Sequence, residues 1–422
     1  MRPEAALLLV LAGGVALADG GPVEMVDLGG HTKFRLTDQS FPDDSLLREP
    51  YGANALDLGA EFRLSASAKQ GPWSFAADYQ LFALHGDSVG AAAGVPALSL
   101  FPGYAPYPDD DRRLFDLTHV IHEAGDTAVV QRLDRLWAAY TTDRLVIRAG
   151  RQALSWGNGL FYGPMDLVNP FDPATIDTEF KSGDDMLYLQ YLRGSGDDVQ
   201  AAIVFRRDPV SGDVRADERT AAVKYHGFVG DREFDLLVAD SYGNTVVGLG
   251  GVTSAGGAVL RGDLVLTAVG GDTFVEAVAN ASYSWTWGGR NVSGSVEYYF
   301  NGFGQHRGDY GLPSVAANTD LSQRLVRGES YTLGRHYLAG SLLVEVTPLF
   351  TVTPTLLFSV AEPSALFQLV TQVSLADNKT LLGSLNLPLG PNGSEFGGIE
   401  SGLPNRYLSS GPGIFAQFAW YF

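Results

Sequence analysis

The last ten residues of the chain, Gly413 to Phe422, read G-I-F-A-Q-F-A-W-Y-F. Ile414, Ala416, Phe418, Trp420 and Phe422 fall on one face of a strand, so an apolar or aromatic side chain recurs with period two up to the carboxyl terminus. In water such a row must be covered, because the hydrophobic effect drives it into a core. A strand that faces lipid needs the same row, with an aromatic ring at headgroup level. The expectation is a sheet whose outer face is apolar, closed by this strand.

The rest of the chain repeats the pattern. From Asn54 to Lys69, Leu56, Leu58, Ala60, Phe62, Leu64, Ala66 and Ala68 face one way, and Asp57, Glu61, Arg63, Ser65 and Ser67 the other. After the Q-G-P turn the apolar set moves to odd numbers, with Trp73, Phe75, Ala77, Tyr79, Leu81 and Ala83. The stretch Arg132 to Gln152 tests register. Joined through a two-residue loop at Thr142-Asp143, it pairs 141 with 144 and 135 with 150, and each pair must share a face. One face then holds Leu136, Ala138, Tyr140, Leu145, Ile147 and Ala149, and the other Arg135, Trp137, Arg148 and Gln152.

Counting such segments gives roughly eighteen strands, or sixteen if the small-residue stretches Asn244 to Val252 and Ala258 to Ala268 are dropped; single-chain barrels of this kind have even numbers. Among other segments, strands are expected at Gly30 to Asp38, Val199 to Arg207 and Tyr331 to Val346. Long connections fall at only one end of the predicted strands, while the other end has tight turns, except for an uncertain Gly-rich connection near Gly250. Trp73, Trp287 and Trp420 sit at the tight-turn end, where an aromatic girdle belongs. A soluble sandwich has no reason to segregate loop lengths in this way.

Composition sets the compartment. The first eighteen residues carry Arg2, an apolar run from Ala5 to Leu17, and the small residues Ala16 and Ala18, as a secretory signal peptide cleaved before Asp19 does. One domain, residues 19–422, is expected to follow. The chain has no cysteine, which rules out a lipid anchor on cysteine, disulfides, thiolate metal sites and covalent c-type haem, and no cofactor is indicated. A net charge of −19 argues against nucleic acid as a partner. Its simplest reading is solvated acidic external loops, Asp109 to Asp111 and Asp184-Asp185 included.

The closing strand resembles that of bacterial outer-membrane β-barrels, which characteristically finish in Phe. A second resemblance is local: Gly150 to Pro173, G-R-Q-A-L-S-W-G-N-G-L-F-Y-G-P-M-D-L-V-N-P-F-D-P, is similar to a loop of porin-like barrels in which G-R-Q runs into W-G, P-x-D-L and N-P-F. The matching residues are Gly150, Arg151, Gln152, Trp156, Gly157, Pro164, Asp166, Leu167, Asn169, Pro170 and Phe171. The resemblance implies an all-β, antiparallel, up-and-down transmembrane barrel of the Gram-negative outer membrane, surrounded by lipid. It also implies an external loop folded into the lumen. On that reading Trp156 to Asp172, with Trp156, Asp166, Asn169, Phe171 and Asp172, narrows a pore lined by Arg135, Arg148, Arg63, Glu61, Arg206 and Lys224. The alternative is that this loop only braces the rim.

The leading functional expectation is a channel for passive diffusion of small hydrophilic solutes, selective by size and luminal charge, with no chemical step. A scaffold barrel sheathing a partner such as a multihaem cytochrome is the second reading, and a barrel enzyme the third. No H-E-x-x-H or P-loop occurs, and no acid, base and nucleophile can be assembled into a site from the sequence, so no enzymatic activity is expected. His119 and His122 lack a third ligand in sequence, which disfavours a metal site. A homotrimer and a partner protein inserted in the lumen are both compatible with the sequence.

Overall fold

The computed structural model describes residues 25–91, 106–306 and 309–422. The expected signal peptide lies outside the described residues. The strands in chain order are β1 (Met25–Ser40), β2 (Asn54–Gln70), β3 (Trp73–Gly86), β4 (Thr118–Ala124), β5 (Thr127–Thr141), β6 (Leu145–Gln152) and β7 (Asp184–Leu192). Then come β8 (Asp198–Val204), β9 (Thr220–Val229), β10 (Arg232–Ser241), β11 (Asn244–Ala255), β12 (Ala258–Val269), β13 (Asp272–Trp287) and β14 (Arg290–Asn301). The last are β15 (His336–Thr347), β16 (Phe350–Ser359), β17 (Ser364–Ala376), β18 (Lys379–Leu389), the short pair β19 (Ile399–Glu400) and β20 (Tyr407–Leu408), and β21 (Gly413–Tyr421).

Neighbours pair antiparallel, with β5 following β3 in the wall, and β21 pairs with both β18 and β1, closing a barrel of 18 strands. At the seam Phe422 N–H donates to Gly30 O and Gly30 N–H to Phe422 O, each at 3.0 Å. The Phe422 ring stacks on Phe62. Closure pairs the first strand of the wall with the last, which is what allows a sheet to cross a bilayer.

The alternation read in the sequence decides which way each side chain points. In β2, Leu56 and Leu58 are 49% and 48% exposed on the outer face, whereas Arg63 on the inner face is 1% exposed. Each outward leucine moved from water into lipid contributes about 1.5–3 kcal/mol. Trp73, Trp287 and Trp420 are exposed at the end of the barrel that carries both β1's start and β21's finish. Among the described residues no helix is long and apolar enough to cross a membrane.

The two uncertain strands are both present, as β11 and β12, joined by a turn at Gly256 and Gly257 with φ of +60° and +85°. Every connection at the terminal end is therefore tight. The opposite end holds the long connections between β1 and β2, between β3 and β5 (with β4 in it), between β6 and β7, between β8 and β9, between β14 and β15, and between β18 and β21. It also holds three short ones, at residues 242–243, 270–271 and 360–363.

Several boundaries differ from expectation for local reasons. The β5–β6 turn is shifted: Thr141 faces Val146 and Leu136 faces Arg151. Thr142 organises it, because its N–H donates to Leu145 O at 2.8 Å and its Oγ1 accepts from Leu145 N–H at 3.0 Å. The shift is by an even number, so the apolar face is unchanged. Residues 331–335 belong to a connection, and Arg206 and Arg207 form only isolated bridges beyond β8. β4 was not expected. It pairs with the upper half of β5, Thr118 opposite Arg132 and Ala124 opposite Thr127, and continues the wall where β6 stops at Gln152.

The largest apolar cluster lies among the long connections, with Leu47, Tyr310, Leu321, Leu325 and Ile399 in it. The helix Thr319–Val326 presents Leu321 and Leu325 to this cluster, and the Asn318 side chain caps it by accepting from Leu321 N–H. Two smaller apolar clusters lie inside the barrel, where Trp156 and Met165 pack on Leu237, Val246 and Val265, and Tyr162 on Val278, Tyr299 and Leu357.

Candidate functional site

The segment between β6 and β7, residues 153–183, leaves the wall and runs around the inside of the barrel. Its departure is fixed by G-R-Q. Gly150 has φ of +118°, and a Cβ there would lie 2.2 Å from Leu136 O, so no other residue fits. Arg151 is fully buried, donating from Nε and Nη2 to Asp185 at 3.0 and 2.9 Å and from Nη1 to Asp110 at 2.7 Å. Gln152 donates to Met186 O at 3.3 Å.

From there the segment docks on inward side chains, strand by strand. The Trp156 indole donates to Gln200 of β8 at 2.7 Å. Gly157, with φ of +96°, turns the chain so that Asn158 donates from its backbone N and from Nδ2 to the two oxygens of Asp263 on β12, both at 2.7 Å. Glu297 of β14 accepts the N–H groups of Leu160, Phe161 and Tyr162 at 2.5, 3.0 and 2.8 Å. Tyr162 stacks on Tyr299 with ring centroids 4.7 Å apart, and lies 5.5 Å from the Tyr337 ring of β15.

The return half docks as regularly. Gln368 of β17 donates to Ala174 O at 2.8 Å. Asp177 accepts from Lys33 of β1 at 2.7 Å and from Gln417 of β21 at 2.8 Å. The Arg63 guanidinium of β2 lies 4.2 Å from the Phe180 ring centroid, and Arg135 of β5 donates to Lys181 O. Lys181 ties the segment to itself, donating to Leu154 O at 2.6 Å, Ser155 Oγ at 3.0 Å and both oxygens of Asp166 at 2.7 and 2.6 Å. Burial pushes the Asp166 carboxyl up to about 6 even with this ammonium beside it, and lowers the Lys181 ammonium. Asp172 is also raised by burial, with Ala174 N–H as its donor.

The residues singled out from sequence are placed as follows. Trp156 and Asp166 make the contacts just given. Asn169 adopts a left-handed conformation, φ 49°, and donates to Ser182 O at 3.4 Å. Phe171 is 36% exposed and Asp172 lines a cavity described below. Of the luminal charges, most are paired. Arg63 meets Asp78 and Asp134 at 2.7 and 2.9 Å, Arg135 meets Asp134 at 2.6 Å, Arg206 meets Asp184 at 3.1 Å and Lys224 meets Asp235 at 3.0 Å. Glu61 accepts from Gln80 at 2.9 Å and faces Arg35 at 3.5 Å. Arg148 has no ion-pair partner among the described residues, and its guanidinium lies 4.4 Å from the Trp137 ring centroid.

The acidic runs expected to be solvated are partly interior. Asp110, Asp184 and Asp185 are buried, held by Arg113, Arg151 and Arg206. A carboxylate removed from water needs such partners. Among the described residues no group of three or more His, Asp or Glu side chains converges to hold a metal ion, and His119 and His122 lie exposed on β4. Sequence reasoning missed Asn158, Glu297 and Asp263. Glu297 and Asp263 had a signal, being carboxylates at inward positions of strands.

No protein-family model and no curated protein matches the sequence. Solved structures do match in shape. A BenF-like porin from Pseudomonas fluorescens Pf-5 superposes with a TM-score of 0.53 at 10% identity, covering 95% of this chain and 100% of that one. OccAB2 of Acinetobacter baumannii gives 0.54 at 10% identity, over 96% of this chain and 99% of that one. OccAB1 of the same organism gives 0.53 at 10% identity, over 96% and 99%. The chain is thus a closed, antiparallel, up-and-down transmembrane β-barrel with the fold of bacterial porins.

Proposed function

We propose that the protein is an outer-membrane channel through which small hydrophilic solutes diffuse passively, and that residues 153–183 form its constriction. The observation that carries this reading is the inserted segment itself, held against inward side chains of β1, β8, β12, β14, β17 and β21. A segment that only braced the rim would have no need of partners around the whole inner wall. Selection in such a path rests on width and on fixed charge. Most luminal cations here are neutralised by carboxylates, so the unpaired Arg148 carries more weight in the local field than its paired neighbours. The solute path is compatible with a trimer or a monomer.

The same segment speaks against the sheath reading, because it occupies the space that an inserted partner protein would need. Passive diffusion is tested by osmotic swelling of liposomes containing the refolded protein. Swelling in small sugars and amino acids that falls off with solute size supports the channel. Liposomes that stay impermeable to all of them while the barrel is folded refute it. An ion-selectivity change on Arg148→Glu, read from the reversal potential, places that residue in the path.

A further inference from the structure

Where the inserted segment passes Leu357 of β16 it borders an open cavity of about 200 Å³. Tyr162 and Asp172 of the segment line it, with Tyr331 from the β14–β15 connection and Glu395 and Phe396 from the β18–β21 connection. Two of these are carboxylates and three are aromatic rings. Asp78, Asp134, Asp166, Asp177, Asp184, Asp185 and Asp235 each face a lysine or arginine within ion-pair distance. Among the described residues Asp172 and Glu395 face none; Asp263 and Glu297 also lack a cation, but Asp263 accepts twice from Asn158 and Glu297 accepts from Leu160, Phe161, Tyr162 and Asn280.

What they do have is sparse. Asp172 Oδ1 accepts from Ala174 N–H at 2.8 Å. Glu395 accepts from Leu333 N–H at 3.1 Å and from the Tyr337 hydroxyl. Burial pushes the Glu395 carboxyl up to about 7, with the nearby Glu362 adding to the effect, and raises Asp172 as well. Lining one cavity with two carboxylates that are largely removed from water and have no cation costs free energy. A ligand that brings positive charge relieves that cost, and aromatic faces attract such a charge.

We infer that this cavity binds a small organic cation, an ammonium compound whose charge is balanced by Asp172 and Glu395 and whose carbon skeleton rests on Tyr162, Tyr331 and Phe396. The apolar lining suits an organic skeleton better than a hydrated metal ion, which takes a shell of oxygen ligands. The role of the site in permeation, as a docking point beside the constriction, rests on the channel reading; the binding itself does not.

The test is equilibrium dialysis of radiolabelled choline against the folded full-length protein in detergent at pH 8, with single-channel conductance of the same preparation recorded alongside. Saturable binding, displaced by tetramethylammonium far better than by potassium, is expected. The double substitution Asp172→Asn with Glu395→Gln should weaken it by roughly tenfold or more, and Tyr331→Leu, which leaves both carboxylates in place, by roughly threefold or more. Absence of saturable binding in protein that conducts overturns the inference, as does equal displacement by potassium or unchanged binding in both variants. Binding without conductance leaves the site standing and removes the channel reading.

Discussion

Glu297→Ala isolates one pin of the inserted segment. The carboxylate accepts three successive backbone N–H groups, those of Leu160, Phe161 and Tyr162, and the Asn280 amide at 3.1 Å. Each hydrogen bond to a charged acceptor contributes about 1.5–3 kcal/mol, but the four are coupled and lumen water replaces part of what is lost. A net loss of about 3 kcal/mol is a reasonable scale, and it raises the released population of residues 160–162 by roughly two orders of magnitude. The segment stays tethered by Asn158 to Asp263, by Asp177 to Lys33 and by Lys181 to Asp166. The expected outcome is therefore a folded barrel whose current shows excess noise and brief, larger-conductance excursions. Hydrogen exchange at residues 160–162 should accelerate in parallel, with the strand amides unchanged. Current traces and exchange identical to wild type in the folded variant would refute the assignment of Glu297 as a pin.

Asp166 predicts a pH dependence. Its carboxyl lies near 6 in the folded protein against 3.8 for the ordinary group, so its contribution to the segment's stability is fully present below about 4 and is lost as pH rises through 6. Amide exchange across residues 153–183, corrected for intrinsic rate, should show less protection at pH 7.5 than at pH 5, and Asp166→Asn should abolish that difference. Gly150→Ala places a Cβ against Leu136 O where the backbone has φ of +118°, so refolding yield, read by heat-modifiable gel migration, should collapse. Removing Phe422 deletes the two seam hydrogen bonds to Gly30 and the ring contact with Phe62, and should lower barrel stability by about 1–3 kcal/mol in urea titration from lipid.

The wall was legible because lipid on one side and water on the other impose a strict alternation on every strand. The Asn54–Lys69 stretch showed it plainly, and β2 spans Asn54–Gln70. In Ala258 to Ala268 glycines and small residues blur the period, yet the stretch forms β12 beside an equally regular β11. β4 was hidden. Thr118–Ala124 is not a wall strand in the ordinary sequence of hairpins and exists because β6 ends early. The helix Thr319–Val326 was likewise lost in a long connection, although Asn318 and the Leu321/Leu325 spacing are the usual marks of a capped amphipathic turn.

For the candidate site, the sequence marks the segment by its turn and aromatic residues but carries no mark of its anchors. The G-R-Q, W-G and N-P-F residues govern how the chain bends, which is a local property. The partners Asp263, Glu297, Gln368 and Gln417 come from strands far along the chain, and which inward side chain meets which part of the segment depends on barrel closure. Pairing among luminal charges is hidden for the same reason. Arg63 and Asp134 are 71 residues apart in sequence and 2.9 Å apart in space.

The central claim is that residues 153–183 narrow a water-filled lumen. The most direct measurement is single-channel conductance in a planar bilayer of the wild-type protein and of a variant in which residues 157–179 are replaced by a short Gly/Ser linker. Discrete steps from the wild type, and steps at least severalfold larger from the shortened protein, are predicted. Equal conductance from the two folded barrels, or no steps from either, would contradict the account.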